Sequence, residues 1–217
     1  IYKKEQFNFV LPISKNLKFK IKKNFDYFIT TVSSYIIFNG GIIILSNYID
    51  DSELGQFSLS QKIGLQLRMI PVFFIQSILQ KASILNEKKD NSTYTYINKI
   101  YNVGIYSTIF IAIFMIFLSK FIIYLLAGEY IPYSEKILII LSFLPFFAML
   151  NFKNVIIMLI EERKKILNYA ISLTALVMVF LCFIGSYLYG GYGMCIALIL
   201  TEIFSFLIHS YLLKNQK

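Results

Sequence analysis

Six long apolar runs constrain this chain more than any other feature. They cover about residues 27–48, 54–80, 100–126, 137–160, 166–189 and 192–213. Each has or exceeds the roughly 20 residues that a helix needs to cross a bilayer. The runs are long and do not strictly alternate, so they fit helix better than strand. A helix also satisfies its own backbone groups inside lipid. Hydrophobic residues make up 57% of the chain, charged residues 15%, and the mean hydropathy is +0.65, whereas a soluble domain carries about 25% charged residues. The expectation is an all-α, polytopic membrane protein with six transmembrane helices. It divides into a basic link (residues 1–25), a six-helix bundle (26–213) and a short tail (214–217). The chain starts at Ile1 rather than Met, and an upstream portion is expected.

The net charge of +9 does not point to nucleic acid, because the basic residues gather between apolar runs, where the positive-inside rule puts them. Residues 1–25 hold Lys3, Lys4, Lys15, Lys18, Lys20, Lys22 and Lys23. Lys81, Lys88, Lys89 and Lys99 follow the second run, Arg163, Lys164 and Lys165 the fourth, and Lys214 and Lys217 close the chain. The alternate connections hold Asp50, Asp51 and Glu53, then Glu129 and Glu135 against Lys136, then the neutral YGGYG. This alternation predicts that both ends are cytoplasmic. Cys182 and Cys195 lie in or beside apolar runs and read as packing residues, with no disulfide framework and no metal site.

The second run raises a physical problem, since it carries Lys62 and Arg68. A charge at bilayer depth costs about 2.5 kcal/mol or more. On a wheel at about 100° per residue, with Gln61 at zero, Arg68 falls near −20°, Gln76 near 60°, Lys62 near 100° and Gln66 near 140°. Leu59, Ile63 and Leu67 lie opposite. The polar residues thus share one broad face, which predicts the wall of a wet cavity. Lys62 lies roughly 8 Å, and Arg68 roughly 17 Å, below the start of hydrocarbon. An internal ion pair of Arg68, for example with Glu202, is the alternative. Pro71 predicts a bend below Arg68 and a freed carbonyl.

Elsewhere, Asn39 lies on a weaker polar stripe with Thr31, Tyr35 and Ser46, beside Gly40-Gly41, where close approach is possible. Lys120 is expected to snorkel. Lys153, beside Asn151 and Asn154, is a further candidate cavity residue or a second snorkelling base. Glu202 is the one acidic residue deep in an apolar run. It could hold Thr201 and a neighbouring helix, pair with a base, or carry a proton. His209 reads as an interfacial residue. No Ser/His/Asp set, HExxH or phosphate-cradling glycine loop is present, so neither an enzyme nor a cofactor is expected.

Three stretches in this order carry a resemblance. They are IDDSELGQFSLSQKI from Ile49, LLAGEYIPYSEKILIILSFLPFF from Leu125, and GGYGMCIALILTEIFSF from Gly190, with EERKKILNYAISL between the last two. Together they resemble the C-terminal half of a bacterial polysaccharide transporter. That is the O-antigen or capsule repeat-unit flippase type within the multidrug/oligosaccharidyl-lipid/polysaccharide exporter superfamily. The resemblance implies two six-helix bundles around a central cavity. It also implies transfer of an undecaprenyl-diphosphate-linked oligosaccharide from the cytoplasmic to the outer leaflet of the inner membrane. Its implied partners are the lipid-linked oligosaccharide, the bilayer and an N-terminal half of the same protein, with a polysaccharide polymerase as a further candidate. Lys62 falls on the family's basic position in this helix. Arg68 matches no motif, and its role rests on the wheel. The chain departs from the family at LSNYIDDSE, which has Asn47 and no Arg where an Asp-Arg pair is often found.

Two other readings compete. A drug/cation antiporter of the same superfamily favours acidic cavity residues, and here the deep charges are mostly basic. A membrane enzyme of polysaccharide assembly, such as a polymerase, calls for a long outer loop with arginines, and the loops here are short.

Overall fold

The computed structural model describes residues 17–88 and 92–215, and every regular element among them is helical. Helix α1 (Leu17–Tyr35) continues through a π-helical segment (Ile36–Gly40) into α2 (Gly41–Leu45). Next come α3 (Asp51–Arg68), α4 (Ile70–Glu87) and the long α5 (Ser92–Ala127). The chain ends with α6 (Pro132–Leu141), α7 (Leu144–Leu150), α8 (Phe152–Ile160) and α9 (Lys164–Asn215). Part of the proposed basic link is therefore helical from Leu17 onward, while residues 1–16 and 216–217 lie outside the described residues.

Five stretches are long and apolar enough to cross a bilayer: Tyr27–Leu45, Asp51–Glu87, Ser92–Ala127, Pro132–Ile160 and Lys164–Asn215. The molecule is a multi-pass, all-α membrane protein. Phe110, Phe117 and Phe121 of α5, and Leu176, Phe180 and Tyr187 of α9, are exposed, as suits side chains meeting lipid.

The fifth stretch differs from expectation by having no loop. Its helical run is broken only at Tyr189 and Gly190, with φ +55° at Gly190, a conformation glycine adopts without Cβ strain. Beyond the break the two arms lie side by side. A Cβ on Gly185 or on Gly193 would collide with backbone of the other residue. These two glycines let the arms touch main chain to main chain, as small residues do at membrane helix interfaces.

Local sequence explains the other breaks. Asp50 caps α3, accepting from the Glu53 N–H at 2.7 Å, and the first turn carries Asp51 and Glu53 against the helix dipole. Pro71 lacks an N–H and crowds the preceding turn. The helix is accordingly interrupted at Met69, whose N–H turns back to Gln66 O at 3.1 Å. Pro132 and Pro145 start α6 and α7, where a missing N–H costs little.

Among the described residues, three apolar clusters fill the interior, two of them large. One joins Leu45, Phe57, Ile137, Leu141, Met178, Cys182, Met194 and Cys195. The other joins Ile78, Ala82, Ile97, Met149, Phe152 and Ile156. Both cysteines are buried, as their packing role predicts. The close approach expected at Gly40-Gly41 is made at Gly41, onto which Met194 packs. Helices α3 and α6 are tied reciprocally: Ser60 Oγ donates to Ser134 O at 2.6 Å, and Ser134 Oγ donates to Gln56 O at 2.8 Å. A Cβ on Gly64 would sit 2.9 Å from Leu141 Cβ, so this contact also needs glycine.

Candidate functional site

The broad polar face of the second run divides into two environments. Gln61 is 4% exposed and belongs to a buried edge with Phe57, Ser60, Gly64 and Pro71. Arg68 follows this edge inward. Lys62, Gln66 and Gln76 are exposed. Of the residues expected to line one cavity, Gln61 and Arg68 turn inward, while Lys62, Gln66 and Gln76 stay on the open edge. The wheel angles do place Gln61 and Arg68 together, with Lys62, Gln66 and Gln76 further round. Packing of α6 and α9 covers only the first of these two edges. On the far side, Leu59, Ile63 and Leu67 pack with Met115, Ile123 and Leu138.

Arg68 forms a buried salt bridge with Glu202, its Nε and Nη2 meeting Oε1. Its guanidinium also lies over the Phe38 ring, 4.5 Å from the centroid. Asn151 Nδ2 donates to Glu202 O at 3.3 Å and to Glu202 Oε2 at 3.4 Å. Glu202 therefore pairs with a base. Thr201 does not depend on it, since its hydroxyl donates to Ala197 O at 2.8 Å. Buried charges are tolerated when paired and hydrogen-bonded, and this arrangement supplies both conditions.

The pair lines a cavity of about 230 Å³ together with Ser34, Phe38, Asn151, Thr174, Ser205 and His209. Helix irregularities gather around it. The π-helical segment contributes Ile37 and Phe38, and the Met69 break lies between Arg68 and Pro71. Asn151 stands between α7 and α8.

His209 is 3% exposed, against the interfacial reading. Its spacing from Glu202 and Ser205, at i, i+3 and i+7, puts all three on one helix face. That pattern is the sequence signal that could have found it. Asn151 lines the cavity although the sequence does not single it out; its neighbour Lys153 is the residue the sequence offers, as a cavity residue or a snorkelling base. Lys153 is half-buried and is not among the residues lining the cavity.

Asn39 is exposed, its amide donating to Tyr35 O at 3.3 Å. Thr31 and Tyr35 are exposed on the same helix. Phe38 brings this helix against Arg68, so the helices bearing the two exposed polar stripes are neighbours. Lys120 is exposed and reaches over the Tyr130 ring, 4.9 Å from the centroid, as a snorkelling lysine does. The Tyr130 hydroxyl donates to Glu135 Oε2 at 2.5 Å, and that carboxylate pushes its pKa up. Among the described residues, Lys62 has no ion-pair partner, and no group of His, Cys, Asp and Glu side chains could hold a metal ion.

Comparison with protein-family models, curated proteins and solved structures finds no match to this chain.

Proposed function

We propose that this chain is one six-helix half of a bacterial flippase. Its cargo is an undecaprenyl-diphosphate-linked oligosaccharide, an O-antigen or capsule repeat unit, carried from the cytoplasmic to the outer leaflet of the inner membrane. The carrying observation is the exposed edge of α3 and α4, with Lys62, Gln66 and Gln76 on a stretch long enough to cross a bilayer. Such an edge is costly against lipid and suited to water. A cation there can meet a diphosphate, and amides can meet sugar hydroxyls.

Counting the two arms of α9 separately gives six crossings, each arm of roughly 25 residues and about 38 Å. An even number puts both ends on one side, and the basic connections make that side cytoplasmic. The exposed polar edges on α1 and α3 call for a wet wall opposite, and a second six-helix bundle, as the resemblance implies, supplies one. The antiporter reading is weaker. Glu202, the one deep acid, is already paired with Arg68 and is not free to receive a cationic drug.

The test is complementation of a flippase-null strain by the full-length protein. Lys62→Ala should cut surface polysaccharide while the amount of protein in the membrane stays constant, and Lys62→Arg should be milder. Rescue by Lys62→Ala equal to that of the unaltered protein would defeat this reading.

A further inference from the structure

The cavity beside Arg68 and Glu202 holds more hydrogen-bonding capacity than the protein satisfies. Arg68 Nη1, Asn151 Oδ1 and His209 Nε2 are buried without a partner among the described residues, and all three residues line this one cavity of about 230 Å³. Buried polar groups are ordinarily paired, with protein or with ordered water. Their chemistry is complementary. Arg68 Nη1 is a donor and Asn151 Oδ1 an acceptor. His209 Nδ1 is 2.6 Å from Ser205 O. A carbonyl only accepts, so Nδ1 carries the proton and Nε2 of the neutral ring accepts. At about 30 Å³ per molecule the space admits several waters, with more than enough polar partners to hold them.

We infer that this cavity is a bound-water site whose waters join His209 Nε2, Asn151 Oδ1 and Arg68 Nη1 in one hydrogen-bonded chain that can deliver a proton to Glu202. Along α9, His209 lies about 9 Å and Glu202 about 20 Å from the helix end at Asn215, so the chain leads inward. A proton that enters on the first bound water is taken up by the buried His209 Nε2 and released from the same nitrogen to the next water. It passes along the chain and ends on a Glu202 carboxylate oxygen. Each water gives one proton and gains one, and the imidazole returns to its neutral form. Glu202 is then uncharged, and Arg68 loses its counter-ion. The ionisable groups lining the space are Arg68 from α3 and Glu202 and His209 from the second arm of α9. The other elements contribute only Ser34, Asn151 and Thr174 as polar neighbours. The inference holds whatever cargo the protein carries.

His209 is the chain's single histidine, so its ring signal can be assigned without ambiguity. The experiment is water-edited solid-state NMR of histidine-labelled full-length protein in lipid nanodiscs. Polarisation should reach the His209 ring rapidly from water. Filling the cavity by Ala148→Phe, or separately by Val155→Phe, should slow that transfer at least about fivefold. Glu202→Gln should shift the pH midpoint of the ring. No transfer from water in the unaltered protein overturns the inference. So does undiminished transfer in whichever filled variants fold, or a midpoint that Glu202→Gln leaves in place.

Discussion

Arg68 and Glu202, 134 residues apart in sequence, form a buried charge pair that ties α3 to the second arm of α9. Losing one member leaves the other charged and enclosed. Arg68→Ala should therefore lower unfolding stability by about 3–5 kcal/mol, and Arg68→Met with Glu202→Leu should recover most of the loss. Unfolding in detergent, read as a double-mutant cycle, measures this. Additive single effects would show that the pair is not coupled.

Lys62 stands on the same helix in the opposite situation. It is exposed and has no ion-pair partner among the described residues, so Lys62→Ala should change stability by less than about 0.5 kcal/mol. Under the proposed function it should nonetheless reduce transport. Loss of stability comparable with that of Arg68→Ala would mean that Lys62 holds the fold rather than faces cargo.

Loop charge makes a topological prediction. Single cysteines at Ser52, Glu129 and Tyr189, all exposed, should react with an impermeant maleimide applied to intact cells. Cysteines at Ser92 and Asn215, also exposed, should react only after the cells are opened. Labelling of Ser92 from outside would refute the six-crossing arrangement.

The glycines of α9 should differ sharply from an exposed glycine. Gly193→Val places a side chain against Gly185 backbone and should prevent the arms from closing, seen as loss of folded protein on size-exclusion chromatography. Gly190→Ala, at φ +55° and ψ −135°, should cost about 1–3 kcal/mol. Gly55→Ala has nothing within 4 Å and should stabilise α3 by roughly 0.5–1 kcal/mol.

The helical membrane class was legible because a bilayer demands long apolar runs, and the bend was legible because proline cannot complete the ladder. Much of the site was legible by type but not by address. The wheel separated Arg68 from Lys62 by about 120°, yet charge alone did not reveal that one edge would be covered and the other left open. That depends on which helices pack there. Glu202 was found because a deep acid is conspicuous. Asn151 and His209 were passed over because their importance comes from convergence with Arg68, more than 80 positions earlier in the chain. The turn into the last run carried a glycine signal, but not the fact that the helix would break at just two residues.

The reciprocal serine bonds between α3 and α6 have a mechanical consequence. Ser60 and Ser134 lock the two main chains, and Gly64 seats Leu141 a turn further along. Sliding one helix past the other would break both hydrogen bonds and unseat Leu141. The first interruption of the ladder after this locked stretch is at Met69, where α3 gives way to α4. Arg68 is the last residue of α3, so a bend at Met69 would swing α4 about a helix end that the Glu202 salt bridge holds in place.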